Sequence, residues 1–154
     1  MAPRLEYGKL APEGLARTRE LEHYPNTGTG LEPALRELVR LLASRMNGCE
    51  YCIQLHTSEL RKLNEPDTRI AEGVEWRSSG AYTQRERAAF AWTEALINIQ
   101  EGHAPDEVYD EVRAHFSDLE TVNLTLTVTT INAWNRLSIG LGSYPGHKDA
   151  AVAS

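Results

Sequence analysis

Six helix starts are written along this chain, and they leave it little else to fold into. Thr83-Gln84-Arg85-Glu86 and Ser117-Asp118-Leu119-Glu120 are capping boxes. In each, the hydroxyl accepts the N–H of the acidic residue three places on, and that acid's carboxylate accepts the hydroxyl residue's own N–H. Pro12-Glu13, Glu32-Pro33, Pro66-Asp67 and Pro105-Asp106 mark four more starts, because proline suits the first helical position and acid suits the first turn. Helices are therefore expected from Pro12 to about His23, from Pro33 to about Met46, and from the region of Gly48 to about Leu63. Others run from Asp67 to near Gly73 or Trp76, from Gln84 to Gly102, from Asp106 toward Phe116, and from Asp118 to about Ile139. Leu35, Leu38, Val39, Leu42 and Met46 give the second of these an apolar stripe at helical spacing.

The last segment carries a conflict. Val122, Leu124, Leu126 and Val128 alternate with polar residues, and the threonines among them favour strands. Against this, Val122, Leu126, Ala133 and Leu137 follow helical spacing behind a capping box. No other stretch offers a partner strand, and a lone strand is not stable. The segment is read as a helix whose small Thr and Ala faces suit close packing, including packing between subunits. The expected fold is an all-α bundle of six or seven helices forming one domain over residues 1–154. Residues 1–11 are expected to be an irregular, flexible arm, 140–154 a Gly/Pro/Ala tail, and Tyr24 to Gly30 a connecting loop rather than a mobile cover.

Function concentrates in Asn47-Gly48-Cys49-Glu50-Tyr51-Cys52-Ile53-Gln54-Leu55-His56, which holds both cysteines of the chain. With Cys49 at zero on a helical wheel, Cys52 falls at about 300° and His56 at about 340°, while Tyr51 falls at about 200°. Ile53, Leu60 and Leu63 share the thiol arc; Glu50, Gln54, Ser58, Arg61 and Lys62 oppose it. A helix start favours thiolate through its unpaired N–H groups, a nearby imidazole can accept the thiol proton, and the C-x-x-C spacing lets two sulfurs condense once one is oxidised. Redox chemistry is the favoured reading. Two alternatives stand beside it: a pair of buried core cysteines, and a Cys-Cys-His metal site that lacks an evident fourth ligand. Glu37, twelve residues before Cys49, has a plain use as an i,i+3 surface partner of Arg40.

Composition narrows the partners. A net charge of −6 without a Lys/Arg cluster argues against nucleic acid, and no apolar run approaches the length of a membrane span. The opening MAPRLEYGKLAPEG has no apolar signal core, so a cytoplasmic location is expected, where a C-x-x-C pair is more often catalytic than structural. No glycine-rich dinucleotide fingerprint appears, and no bound cofactor is expected.

With Glu37, Cys49, Cys52 and His56 in view, the chain resembles the carboxymuconolactone decarboxylase / AhpD-like alkylhydroperoxidase family, in the branch with Glu-x11-Cys-x2-Cys-x3-His. The run from Ile131 to Leu137 looks like the end of that family's later helix. The resemblance implies an all-α fold, homo-oligomers such as trimers or hexamers, and thiol-dependent reduction of hydroperoxides. It makes Cys52 the attacking thiol, Cys49 the resolving thiol, and Glu37 and His56 a proton relay. It also implies an external dithiol as reductant, a lipoylated protein or another thiol donor. AhpD proteins proper carry a histidine directly before the second cysteine, where this chain has Tyr51. Redox sensing, protein disulfide exchange and non-redox lactone decarboxylation are the competing functions.

Overall fold

A computed structural model describes residues 4–27 and 30–142, and among these residues all regular structure is helical. The order is α1 (Tyr7–Leu10), α2 (Pro12–His23), a 3-10 turn (Tyr24–Asn26), α3 (Pro33–Asn47), α4 (Glu50–Lys62) and α5 (Asp67–Glu72), which runs into a second 3-10 turn (Gly73–Glu75). Then come α6 (Gln84–Ile97), α7 (Ile99–Gly102), α8 (Asp106–His115) and α9 (Asp118–Leu141). Nine helices stand among the described residues where six or seven were expected. The two extra ones, α1 and α7, are single turns of four residues, too short to leave a periodic signal. Asn98 (φ −95°, ψ 30°) breaks the expected helix to Gly102 into α6 and α7, and Ile99 beyond the break is exposed.

Helix α3 is the hub, with α4, α6 and α9 packed on it. Its buried residues run from Leu35 through Ser44 on nearly every side, including Arg40, whereas Met46 at its end reaches solvent. Val39, Leu41, Leu60, Phe90, Val112, Leu124 and Val128 form the main core, and Phe90 meets Tyr82 and Trp76 edge to face at 5.0 and 5.8 Å. A second cluster of Tyr7, Leu15, Ala43, Ile131 and Trp134 joins α1, α2, α3 and α9.

From Arg4 to Ala11 the expected irregular arm is instead ordered against the bundle. Tyr7 is buried, and the N–H groups of Arg4 and Leu5 donate to the Leu141 carbonyl at 2.7 and 3.2 Å. At the other end, Gly140 and Leu141 belong to α9, and the expected tail from 143 onward lies outside the described residues, as do Gly28 and Thr29 of the expected loop.

Both capping boxes form as read, at Thr83 with Glu86 and at Ser117 with Glu120. Helix α9 is helical for 24 residues, but it buries a different face from the one its aliphatic spacing suggested. Val122 is exposed and Leu126, Ala133 and Leu137 are half-buried, while Thr121, Leu124, Thr127, Val128, Ile131, Trp134, Asn135 and Ser138 are buried. Threonine can face the core here because its hydroxyl donates to the carbonyl one turn back. Thr121, Thr127 and Thr130 do so onto Ser117, Asn123 and Leu126 at 2.8–2.9 Å. Among the described residues no helix is long and apolar enough to cross a membrane.

Candidate active site

Gly48 makes the corner that delivers the cysteines. It ends α3 in the left-handed region (φ 69°, ψ 31°), where glycine carries no Cβ penalty. Its N–H donates to the Arg45 carbonyl at 3.1 Å, and the Cys49 N–H returns to the Ser44 carbonyl at 2.9 Å. The chain reverses at once, with Cys49 as the N-cap of α4 and Cys52 in its first turn. Asn47, just before the corner, donates to the side-chain oxygens of Asn132 and Asn135 at 2.8 and 2.9 Å, and Asn135 donates to Ser44 Oγ at 3.2 Å. The end of α3 is thereby fixed to α9.

Cys49 and Cys52 are joined as a disulfide with a Cα–Cα distance of 5.3 Å. Both are almost fully buried, as is His56 one turn further along the same face. Leu60 follows them into the core, but Leu63 lies past the helix end and is exposed. Glu37 crosses from α3 to meet them: its Oε2 lies 2.8 Å from His56 Nδ1. Its Oε1 accepts from Arg40 Nη1. The i,i+3 pairing with Arg40 expected from spacing exists, but it is buried rather than on the surface, with side-chain exposures of 12% for Glu37 and 5% for Arg40. Arg40 Nη2 donates to the Glu22 carbonyl at 3.3 Å and to Asn26 Oδ1 at 3.1 Å.

Burial by itself would raise the Glu37 carboxyl. The hydrogen bond and charge of His56, joined by the Arg40 guanidinium, outweigh it and hold the group down at about 2. A carboxylate that stays ionised accepts from His56 Nδ1–H, and the proton-accepting lone pair of the imidazole is then at Nε2.

Cys52, His56 and Glu37 line one cavity of about 190 Å³. Its other walls come from Arg19, Glu22 and His23 of α2, from Asn26, from Tyr51, Leu55 and Glu59 of α4, and from Ile131, Trp134 and Ser138 of α9. Arg19 stands over the Trp134 ring at 6.0 Å. Tyr51 is on this wall too, although its wheel position pointed away from the thiols, and burial pushes its phenol up so that it stays protonated. Sequence reasoning did not reach Asn26, Arg40, Ile131 or Trp134 as lining residues. The run from Ile131 to Leu137 was a signal for the last two. Among the described residues, no group of three or more His, Cys, Asp or Glu side chains is arranged to hold a metal ion.

The chain as a whole is similar to known proteins. Residues 10–95 match the family model of the carboxymuconolactone decarboxylase family. The Bacillus subtilis (strain 168) protein YdfG is 36% identical over 96% of this chain and 100% of its own length. The crystal structure of ATU0492 from Agrobacterium tumefaciens, described as a putative antioxidant defence protein AhpD, is 38% identical with a TM-score of 0.86, over 90% of this chain and 94% of that one. The debrominase Bmp8 is similar at a TM-score of 0.76 and 19% identity, over 86% of this chain and 71% of its own, a likeness of fold alone.

Proposed function

Because the chain belongs to the carboxymuconolactone decarboxylase family, we propose that its buried thiol pair reduces hydroperoxides, in the manner suggested by the antioxidant description of its AhpD-like structural relative. The observation that carries this reading is one cavity lined by Cys52, which is bonded to Cys49, and by the His56–Glu37 pair. That is a nucleophile and an oriented base on one enclosure, with the resolving thiol bonded to the nucleophile.

In the reduced protein His56 Nε2 takes the proton of Cys52, and the first turn of α4 favours the thiolate. The thiolate attacks the outer peroxide oxygen, the O–O bond breaks, and Cys52 becomes a sulfenic acid while the proton from His56 goes to the leaving alkoxide. Cys49 then attacks the Cys52 sulfur, releases water and closes the disulfide. An external dithiol reopens it by exchange. One hydroperoxide and two thiols thus give one alcohol, one water and one disulfide.

The burial of both sulfurs favours small substrates and a slender reductant, such as a lipoyl arm or another small thiol donor, over the disulfide of a folded protein. A homo-oligomer and a cytoplasmic setting complete the reading. Its test is a free-thiol count before and after one equivalent of peroxide, with mass spectrometry of the product. Both thiols should be lost to a Cys49–Cys52 disulfide that a dithiol reverses. Thiols that survive peroxide would sink it.

A further inference from the structure

We propose that Arg40 is a positioning residue: it supplies the permanent positive charge that leaves His56 free to be neutral, and so sets the pH at which Cys52 becomes a thiolate. The proposal rests on the reading that Cys52 is the attacking thiol.

The geometry is that of a buried carboxylate shared between two cations of different kinds. Glu37 gives one oxygen to His56 and the other to Arg40, and all three side chains are enclosed. An ionised carboxylate at such a depth needs a positive partner. If His56 were that partner, it would have to keep a proton, and a protonated imidazole cannot take another from a thiol. A guanidinium does not titrate in proteins, so Arg40 balances Glu37 whatever the state of His56. Arg40 is held in turn by the Glu22 carbonyl and Asn26, which ties the charge to the cavity wall. A solvent-facing i,i+3 pair could do none of this.

Other charged and titratable groups face the cluster: Arg19, Glu22 and His23 from α2, and Tyr51 and Glu59 from α4, with Glu59 engaged by Lys62 at 2.6 Å. Arg36, also on α3, donates to the Leu31 carbonyl at 2.6 Å. The walls from α9 and the 3-10 turn add Ile131, Trp134, Ser138 and Asn26, none of which titrates. These groups are unchanged in the two Arg40 variants below, so the difference between those variants isolates Arg40.

The experiment is the pH dependence of iodoacetamide alkylation at Cys52, followed by mass spectrometry in reduced Cys49→Ser protein. Adding Arg40→Met removes a positive charge, raises the proton affinity of what remains, and should move the midpoint up by about one pH unit. Arg40→Lys keeps the charge and should restore the midpoint to within a few tenths of a unit. Asn26→Asp is isosteric and sets a competing carboxylate against the guanidinium; it should move the midpoint in the same direction by less, and it decides the matter if Arg40→Met does not fold. An unmoved or lowered midpoint in folded Arg40→Met, or in Asn26→Asp where that variant decides, overturns the proposal. So does an Arg40→Lys shift as large as that of Arg40→Met, which would make the role structural. Trapping of a Cys52 sulfenic acid by peroxide in the same proteins tests the peroxidase reading separately. The expected shifts without sulfenic acid would uphold Arg40 and sink the peroxidase.

Discussion

Helices α4 and α9 begin in opposite ways. At the start of α9 the Ser117 hydroxyl accepts the Glu120 N–H at 3.3 Å, and the Glu120 carboxylate accepts the Ser117 N–H at 2.8 Å. Arg85 adds a contact to that carboxylate at 2.8 Å, and the Ser117 N–H is the main reason its carboxyl lies below the usual range. Helix α6 opens with the same device at Thr83. At the start of α4 the cap is Cys49, whose side chain makes no capping hydrogen bond. There the orientation comes from behind, from Gly48 and from the Asn47–Asn135 contacts. A start fixed by its own side chains spends its N–H groups on stability; a start fixed by its neighbours keeps its first turn for sulfur.

The widest contrast is in chemistry. Cys52→Ser should abolish peroxide turnover in a dithiol-coupled assay while the protein stays folded, and an active Cys52→Ser enzyme would dissolve the distinction drawn between the two starts. Next comes the ion cluster that faces α4. Glu37→Gln should slow Cys52 oxidation by about a hundredfold, through loss of the oriented base. It should also change the acid limb of stability. The folded Glu37 carboxyl is held down to about 2 against an ordinary value of 4.5, so its contribution is complete above about 4.5 and is lost as pH falls toward 2. The stability difference between the parent and Glu37→Gln should therefore shrink by on the order of 3 kcal/mol across that window, read from urea unfolding at a series of pH values.

Smaller effects sharpen the comparison from the other side. Thr83→Ala and Ser117→Ala should each cost about 1 kcal/mol in urea unfolding and leave the rate of thiol oxidation unchanged. The smallest expected effect is also the most telling. Cys49→Ser places a good cap where a poor one stood, so against the reduced parent it should gain a few tenths of a kcal/mol. The same variant should accept one oxidation per chain and then stop, seen as a single stoichiometric loss of peroxide. Sustained turnover by Cys49→Ser would remove the resolving role from Cys49.

The parts of this molecule that were legible in the chain are those written locally. Thr83 and Ser117 announced their helices, and Cys49, Cys52 and His56 share one buried face, as their spacing required. What was illegible depends on how helices cross. Glu37 and Arg40 look like a surface pair until α2 and α4 are laid over them. Tyr51 stands off the thiol arc on a wheel, yet its side chain still lines the cavity. In α9 the misreading came from chemistry: aliphatic spacing marked Val122 and Leu126, while threonines that satisfy their own hydroxyls took the buried face.

The grip of Asn135 on Ser44 has a consequence for the order in which this site comes into being. Synthesis delivers the two cysteines with α3 and α4, but Ile131, Trp134 and Ser138, the far wall of the cavity, arrive only with the last described helix. Domains of this size assemble as their distant segments become available. Until α9 has emerged and docked, the nascent chain carries its thiols without their enclosure, open to any oxidant or thiol nearby. The enclosure around Cys52 is thus completed only once α9 has docked.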